Sequence, residues 1–412
     1  MDIMRKDSLL LEHGLIMLIS LMIARFFGYL FQLYVARSLG PDEYGVFGSL
    51  FAVFTLLTIP TGTIQTVISR FTSEYKVSSD YGRIKKLFFA SINKLGLYGI
   101  ISIFLVAIIS LPLAAFLNIP TVVPIIILGF SVIWSFVLPV PEGVLLGLEK
   151  FRWLGASSIL NTLSRFVIMI LLITVGLKLN GVMISFAIAP LIPFIFCLLP
   201  LKGLFSQNDS VNRINVSSIY VYSYPILIVI ALSMFLQNFH IMAVKHFFSS
   251  YETGIYVAGS NISMIVIFLG AALTSSQFPK VSDLHALKLD AKHILKESLF
   301  YMVSFSIIFV IGSTFFADFI VSLLFGEQYI EAAHLIPILS LTMSIFAVSA
   351  ILINYLIALK NFSFVKPVLL VIFIHIIGIF LFNNSINMII FNLLISFSLA
   401  LAITLFCVIK MG

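Results

Sequence analysis

The sequence predicts an all-α polytopic membrane protein of 12 transmembrane helices arranged as two pseudo-symmetric six-helix lobes. Three observations carry that prediction. Of the 412 residues 61% are hydrophobic and 10% charged, with a mean hydropathy of +1.16, whereas soluble domains hold roughly 45–50% apolar and about 25% charged residues. Apolar runs of the ~20 residues needed to cross a bilayer recur from end to end. Short motifs also return at a nearly constant offset of about half the chain.

Runs bounded by charge or by Gly, Pro and Asn clusters place the helices at 12–36, 44–68, 89–116, 122–146, 153–175, 181–201, 218–239, 253–276, 298–324, 332–357, 367–382 and 387–408. Arg5 and Lys6 precede the first run as they would a signal peptide, but the run continues to Val35 without a small-residue cleavage site and reads as a retained span. Gly40-Pro41 stops the first helix, Asp42-Glu43 puts acids where the next helix begins, and Ser69-Arg70 marks the return to water. Leu138-Pro139-Val140-Pro141-Glu142-Gly143 weakens the fourth helix and frees backbone carbonyls. Asn118-Ile119-Pro120 and Asn383-Asn384-Ser385 are whole connections on the other side.

Charge orients the bundle. With the N-terminus inside, 18 of the 24 Lys and Arg fall in inner segments, from Arg5 and Lys6 through Arg213 to Lys410, and only Arg37, Lys178 and Lys245 fall outside. Positive loops stay in the cytoplasm, so both termini are expected there, in a plasma or inner membrane. The net charge of +7 is spread through these short loops and forms no patch interleaved with aromatics, which excludes nucleic acid as a partner. Cys197 and Cys407 both lie in apolar runs and support neither a disulfide framework nor a metal site.

A shift of 209 positions lays Glu43-Tyr44-Gly45-Val46-Phe47 on Glu252-Thr253-Gly254-Ile255-Tyr256, and Ser73-Glu74 on Ser282-Asp283. A shift of 211 lays Leu146-Gly147-Leu148-Glu149-Lys150-Phe151 on Ile357-Ala358-Leu359-Lys360-Asn361-Phe362. Two anchors at nearly one offset predict a parallel repeat, an N-lobe at 1–205 and a C-lobe at 206–412, with the divide in the polar loop Ser206 to Asn215.

Ionisable groups inside a span are costly unless they face protein or water. Arg25, midway along the first span, is expected to face a lumen and meet substrate, or to bond carbonyls of a neighbouring helix. Arg165 and Asn161 share a face of the fifth span; Arg165 contacts substrate or bridges to Glu142. Glu142, in its broken helix, is a candidate for ion coupling, or is hydrated at the cytoplasmic end. Lys94 is expected to snorkel and Asp318 to meet water. His240, Lys245 and His246 cluster at an outer helix end, where they receive a phosphate or form an ordinary solvated loop. His375 reads as an interior histidine. Gln32, Gln65, Gln237, Asn238, Asn261 and Asn354 line a polar lumen or join helices. No Gly-rich phosphate cradle, His/Glu metal spacing or Gly-x-Ser-x-Gly elbow occurs, and no large outer loop exists to shape an active site. The chain is expected to be no enzyme and to need neither cofactor nor metal.

The stretch Tyr34 to Glu74, through Ala36-Arg37-Ser38-Leu39-Gly40-Pro41, Glu43-Tyr44-Gly45, Arg70 and Glu74, resembles the signature of polysaccharide-type flippases in the multidrug/oligosaccharidyl-lipid/polysaccharide transporter superfamily. Leu146-Gly147-Leu148-Glu149-Lys150-Phe151 is similar to that family's LQGL-x-x-F loop, and Gly254-Ile255-Tyr256 to its VGxY. Lipid II flippases share Ala24-Arg25-Phe26-Phe27-Gly28-Tyr29 as SRVLGF, but follow it with Arg-Asp where this chain has Phe31-Gln32. The resemblance implies a carrier that moves polyprenyl-diphosphate-linked oligosaccharide from the inner to the outer leaflet by alternating access, for surface polysaccharide assembly. Its partners would be the lipid-linked oligosaccharide, membrane lipids, a glycan polymerase and glycosyltransferases. A drug/cation antiporter of the same superfamily and a non-transporting scaffold for glycan-assembly enzymes are the alternatives; midspan Arg25 and Arg165 against Glu142 favour an anionic cargo.

Overall fold

The computed structural model describes residues 2–206 and 217–410, with side chains at 14–206 and 227–410. Arg5, Lys6, Arg213 and nearly all of the expected divide at 206–215 lie outside the described side chains. The described residues form helices and no strand: α1 (Asp2–Leu57), α2 (Pro60–Val77), α3 (Tyr81–Phe116), α4 (Val123–Val137), α5 (Pro139–Gly147), α6 (Phe151–Thr174), α7 (Lys178–Ile188), α8 (Leu191–Leu198), α9 (Lys202–Phe205), α10 (Ser217–Phe247), α11 (Ser250–Ser263), α12 (Ile265–Ala286), α13 (Lys292–Phe315), α14 (Ala317–Leu324), α15 (Ile336–Ala358), α16 (Val365–Leu381) and α17 (Ile386–Ile409).

Ten segments are long and apolar enough to cross a membrane, and Val365–Leu381 is a shorter apolar helix. The first segment, Gly14–Val77, has 64 residues; as one rod it would reach about 96 Å, some three times the ~30 Å hydrocarbon core. It breaks at Gly40, whose φ of 75° and ψ of 171° fall in a region open essentially to glycine. The chain reverses there, because the Phe186 ring meets both Phe31 before the break (5.6 Å) and Phe54 after it (5.1 Å). With the two limbs counted separately, the described residues carry twelve apolar spans. This is a multi-pass membrane protein.

Several helices outrun the apolar runs that predict them. α3 begins at Tyr81 rather than 89 because the Asp80 side chain caps it, accepting from the Arg83 backbone N–H at 2.9 Å. α10 continues to Phe247 and α12 to Ala286, past the expected ends at 239 and 276. Hydrophobicity marks where lipid ends, whereas backbone hydrogen bonding carries the helix on until a cap stops it. The expected ninth span, 298–324, is two helices, α13 and α14, broken at Phe316.

Prolines cut other helices, and side chains from neighbours take up the carbonyls they release. Pro139 has no N–H for the Ser135 carbonyl, which accepts from the Thr61 hydroxyl at 3.1 Å. Pro193 cannot donate to the Ala189 carbonyl, which accepts from the Ile192 N–H at 3.1 Å and lies 3.3 Å from the Ser164 hydroxyl.

The chain forms two compact units, one of Met1–Leu39 with Val53–Ala231 and one of Gly40–Ala52 with Leu232–Gly412. In unit 1, α2 lies close on α5: a Cβ on Gly143 would come within 2.8 Å of the Gln65 carbonyl, and one on Gly147 within 2.5 Å of the Ser69 carbonyl. The first limb of α1 runs in register along α6, with Gly155 against Ser20, Gly28 against Thr162 and Tyr34 against Phe166. In unit 2, α15 is central and buries Ile336, Leu339, Met343, Ala347 and Ile351 completely, with α11, α12, α13 and α17 packed around it.

Within unit 2 the segment Gly40–Ala52 lies on α11 through a reciprocal backbone contact. A Cβ on Gly45 would strike the Ser250 carbonyl, and one on Gly254 would strike the Pro41 carbonyl. Gly45 and Gly254 are 209 residues apart, as are Pro41 and Ser250, so each copy's glycine meets the other copy's first residue, the signature of a two-fold contact. Tyr44, fully buried, accepts from the Asn261 amide at 2.8 Å and sets its ring against Phe325 and Tyr329.

Candidate functional site

The site builds from the proline in α8. Pro193 cannot donate to the Ala189 carbonyl, which accepts from the Ile192 N–H; the Ser164 hydroxyl on α6 lies 3.3 Å from that carbonyl and 3.3 Å from the Asn161 carbonyl of its own helix, and the next residue, Arg165, is carried over the α7 ring of Phe186. Its guanidinium carbon lies 4.3 Å from the ring centroid, well inside cation–π range. Phe31 and Phe54 close on the same ring edge-to-face. Arg165 is half-buried, its Nη2 reaches Asn161 Oδ1 only at 3.5 Å, and its buried Nε has no hydrogen-bond partner. A guanidinium carries five donors in a planar fork. Here it is anchored through its π face while its donors are barely used, an arrangement suited to an anion of phosphate or carboxylate geometry.

Glu142 and Arg165 do not pair. The half-buried Glu142 accepts from Ser157 at 3.0 Å, because α5 starts at Pro139 and turns its first-turn acid toward α6. The Arg165–Glu142 bridge considered from the sequence is therefore replaced by two separate sites on α6, Ser157 and Arg165, eight residues apart. The register between the first limb and α6 puts Gln32, half-buried, near the level of Arg165. Arg25 is exposed on the first limb between Met22 (64% exposed) and Phe26 (61%). It lies six residues, about 9 Å along the axis, before the Phe31 that touches Phe186.

The outer basic cluster is not a solvated loop. Because α10 continues to Phe247, His240 and Lys245 are 0% and 1% exposed, and His240 Nδ1 shares a 2.6 Å hydrogen bond with the Tyr256 hydroxyl. Asp318 is exposed at the start of α14, Lys94 is exposed on α3, and His375 is completely buried. Gln237, Asn238 and Asn354 bond carbonyls one turn back in their own helices, and Asn261 joins two helices. Among the described residues no group of three or more His, Cys, Asp or Glu could hold a metal.

Sequence reasoning missed Phe186 and Ser164. Phe186 is one of 41 phenylalanines and carries no mark of its own. Ser164 could have been found: a hydroxyl beside a midspan arginine, with a proline elsewhere releasing a carbonyl, is a pattern legible in principle.

The model of the polysaccharide biosynthesis protein family matches residues 10–285, about two thirds of the chain. The protein belongs to that family. A curated relative, an uncharacterized membrane protein of Methanocaldococcus jannaschii, is 26% identical over 326 residues, 75% of each chain. Among solved structures, Lipid II flippase MurJ in an inward closed conformation aligns with a TM-score of 0.77 at 14% identity, covering 96% of this chain and 87% of that one. An inward-facing multidrug resistance MATE family transporter of the MOP superfamily aligns with a TM-score of 0.74 at 12% identity, covering 92% of each. This member of the polysaccharide biosynthesis family thus has the fold of those transporters.

Proposed function

We propose that the protein flips a polyprenyl-diphosphate-linked oligosaccharide from the inner to the outer leaflet for surface polysaccharide assembly. The observation that carries this reading is Arg165, fixed over Phe186 with its hydrogen-bonding edge largely unspent. A fixed guanidinium cannot lose its proton and recognises diphosphate oxygens by a two-pronged fork. Family membership supplies the polysaccharide context, and the similarity to a lipid II flippase supplies a fold that moves a lipid-linked cargo. Arg25, Gln32 and Asn161 are the further cargo contacts, and Glu142 is the ion-coupling residue of unit 1. Lobes 1–205 and 206–412 would rock in alternating access, in a plasma or inner membrane with both termini cytoplasmic, supplying a glycan polymerase.

The test is reconstitution of purified protein with a fluorescent polyprenyl-diphosphate disaccharide. Replacing Arg165 with Ala should lower the flipping rate at least tenfold and Arg165→Lys nearly as much, because a lysine keeps charge but not the fork. Arg25→Ala should fail to restore surface glycan in cells while still reaching the membrane. Full activity of both arginine variants would remove the anion site from the mechanism. An Arg165-independent protein that instead expels amphiphilic cations through Glu142 would be an antiporter.

A further inference from the structure

Unit 2 holds a polar cluster that the anion site does not use. His240 on α10 and His375 on α16 are both completely buried. The Phe239 ring lies 6.4 Å from the His375 ring, fixing α10 beside α16 at this level. Each histidine is tied through Nδ1, His240 to the Tyr256 hydroxyl at 2.6 Å and His375 to the Ser396 hydroxyl at 2.9 Å. Each leaves a buried Nε2 with no hydrogen-bond partner. Two orphaned ring nitrogens in one apolar interior demand a role, since buried polar atoms are nearly always paired.

The hydrogen bonds assign the His375 proton. Ser396 donates its single hydroxyl proton to the Asn392 carbonyl at 2.7 Å, so it accepts from His375, and His375 carries its proton on Nδ1. Asn392 in turn donates to the His375 carbonyl at 2.9 Å, locking α16 to α17. The Tyr256 hydroxyl and His240 Nδ1 share their hydrogen bond in either sense, with the donor set by the His240 tautomer. The orphan nitrogen of His375 is therefore a bare lone pair. Other charged or titratable groups on the surrounding elements are few. α10 adds Lys245 and His246 beyond His240, and α11 adds Glu252, which is committed to the Ser249 cap. α16 adds Lys366 at its start, while α17 and α15 carry no charged side chain. No carboxylate stands by to balance a second charge.

From this we infer that His240 and His375 form a proton-binding pair in unit 2, with His375 Nε2 as the accepting atom and the pair taking up one proton. The proton comes from hydronium: its O–H bond breaks as the N–H bond forms at the lone pair, and water is released. In the sealed, carboxylate-free interior the added charge is costly, so proton binding favours an arrangement in which the pair meets water. A ligand shifts a protein toward the state that binds it better, and the pair therefore couples proton uptake to conformational change. That last step rests on the carrier reading above; the existence of the pair does not.

Two measurements separate them. Histidine-selective 15N NMR of the protein in lipid nanodiscs, assigned with His240→Gln and His375→Gln among the seven histidines, should show His375 as the Nδ1–H tautomer. Acidification should move both signals in one transition, and Ser396→Ala, which keeps both rings, should shift it. An Nε2–H tautomer at His375, or a His375 titration unchanged by His240→Gln, overturns the pair. In proteoliposomes with the fluorescent disaccharide lipid, His375→Gln should retain downhill flipping but lose at least tenfold of its response to an imposed proton gradient, beside Glu142→Gln as comparator. An intact response in His375→Gln overturns the coupling. If the wild type moves no lipid at all, the carrier reading falls while the NMR result still decides the pair.

Discussion

The segment Pro41–Ala52 and its counterpart 250–261 are two copies of one element, and they solve the same problems by different chemistry. Both begin a helix. The first copy uses Gly40 at positive φ followed by Pro41 at the first helical position, whereas the second uses a Ser249–Glu252 capping box. Where the first copy buries the Tyr44 ring against Phe325 and Tyr329, the second places Thr253, whose hydroxyl turns back to the Ser249 carbonyl at 2.7 Å. Phe47 corresponds to Tyr256, and only the latter holds a histidine. What the copies share is the bare backbone at Gly45 and Gly254. The comparison teaches that the close approach of the two helices is the common requirement, and that the side chains around it are free to specialise.

The strongest way to break this picture is to add atoms where the backbones meet. Gly254→Val and Gly45→Val should each destabilise unit 2 by about 3 kcal/mol or more, the upper end for overpacking, read by SDS-titration unfolding of the purified protein. A much smaller cost for one than the other would show that the contact is not reciprocal. Next in size is Gly40→Ala, expected to cost about 2 kcal/mol because a Cβ is forced into a glycine-only backbone region. Tyr44→Phe removes the acceptor of the Asn261 amide and should cost about 1 kcal/mol. Smallest is Ser249→Ala, at about 0.5–1 kcal/mol for the lost cap. If Ser249→Ala cost more than Gly40→Ala, the capping box rather than the positive-φ break would be the firmer of the two helix starts.

Span number and the first hairpin were legible because hydrophobicity reports the solvent directly: an apolar run of sufficient length has one stable home. The ends were less legible. At Asp80 and Phe247 the helix is decided by a cap or by burial against neighbours, which local apolarity does not encode. Arg165 and Asn161 were found as a pair on one face, since helical spacing alone brings them together. Their environment was not, because the Phe186 ring that holds Arg165 comes from another helix. His240 and Lys245 show the opposite failure. Their polarity suggested water, yet α10 outlasts its apolar run and carries both into the interior.

The reciprocal crossing at Gly45 and Gly254 has a consequence for how such chains drift. A change at either glycine disturbs the opposite copy's backbone as well as its own helix, so the two halves of the gene can diverge widely elsewhere while remaining tied at this point. The short stretch still recognisable at an offset of 209 residues is then the footprint of a crossing. In other long-diverged duplicated carriers, paired glycines at a constant separation should remain visible after every other trace of the doubling has faded.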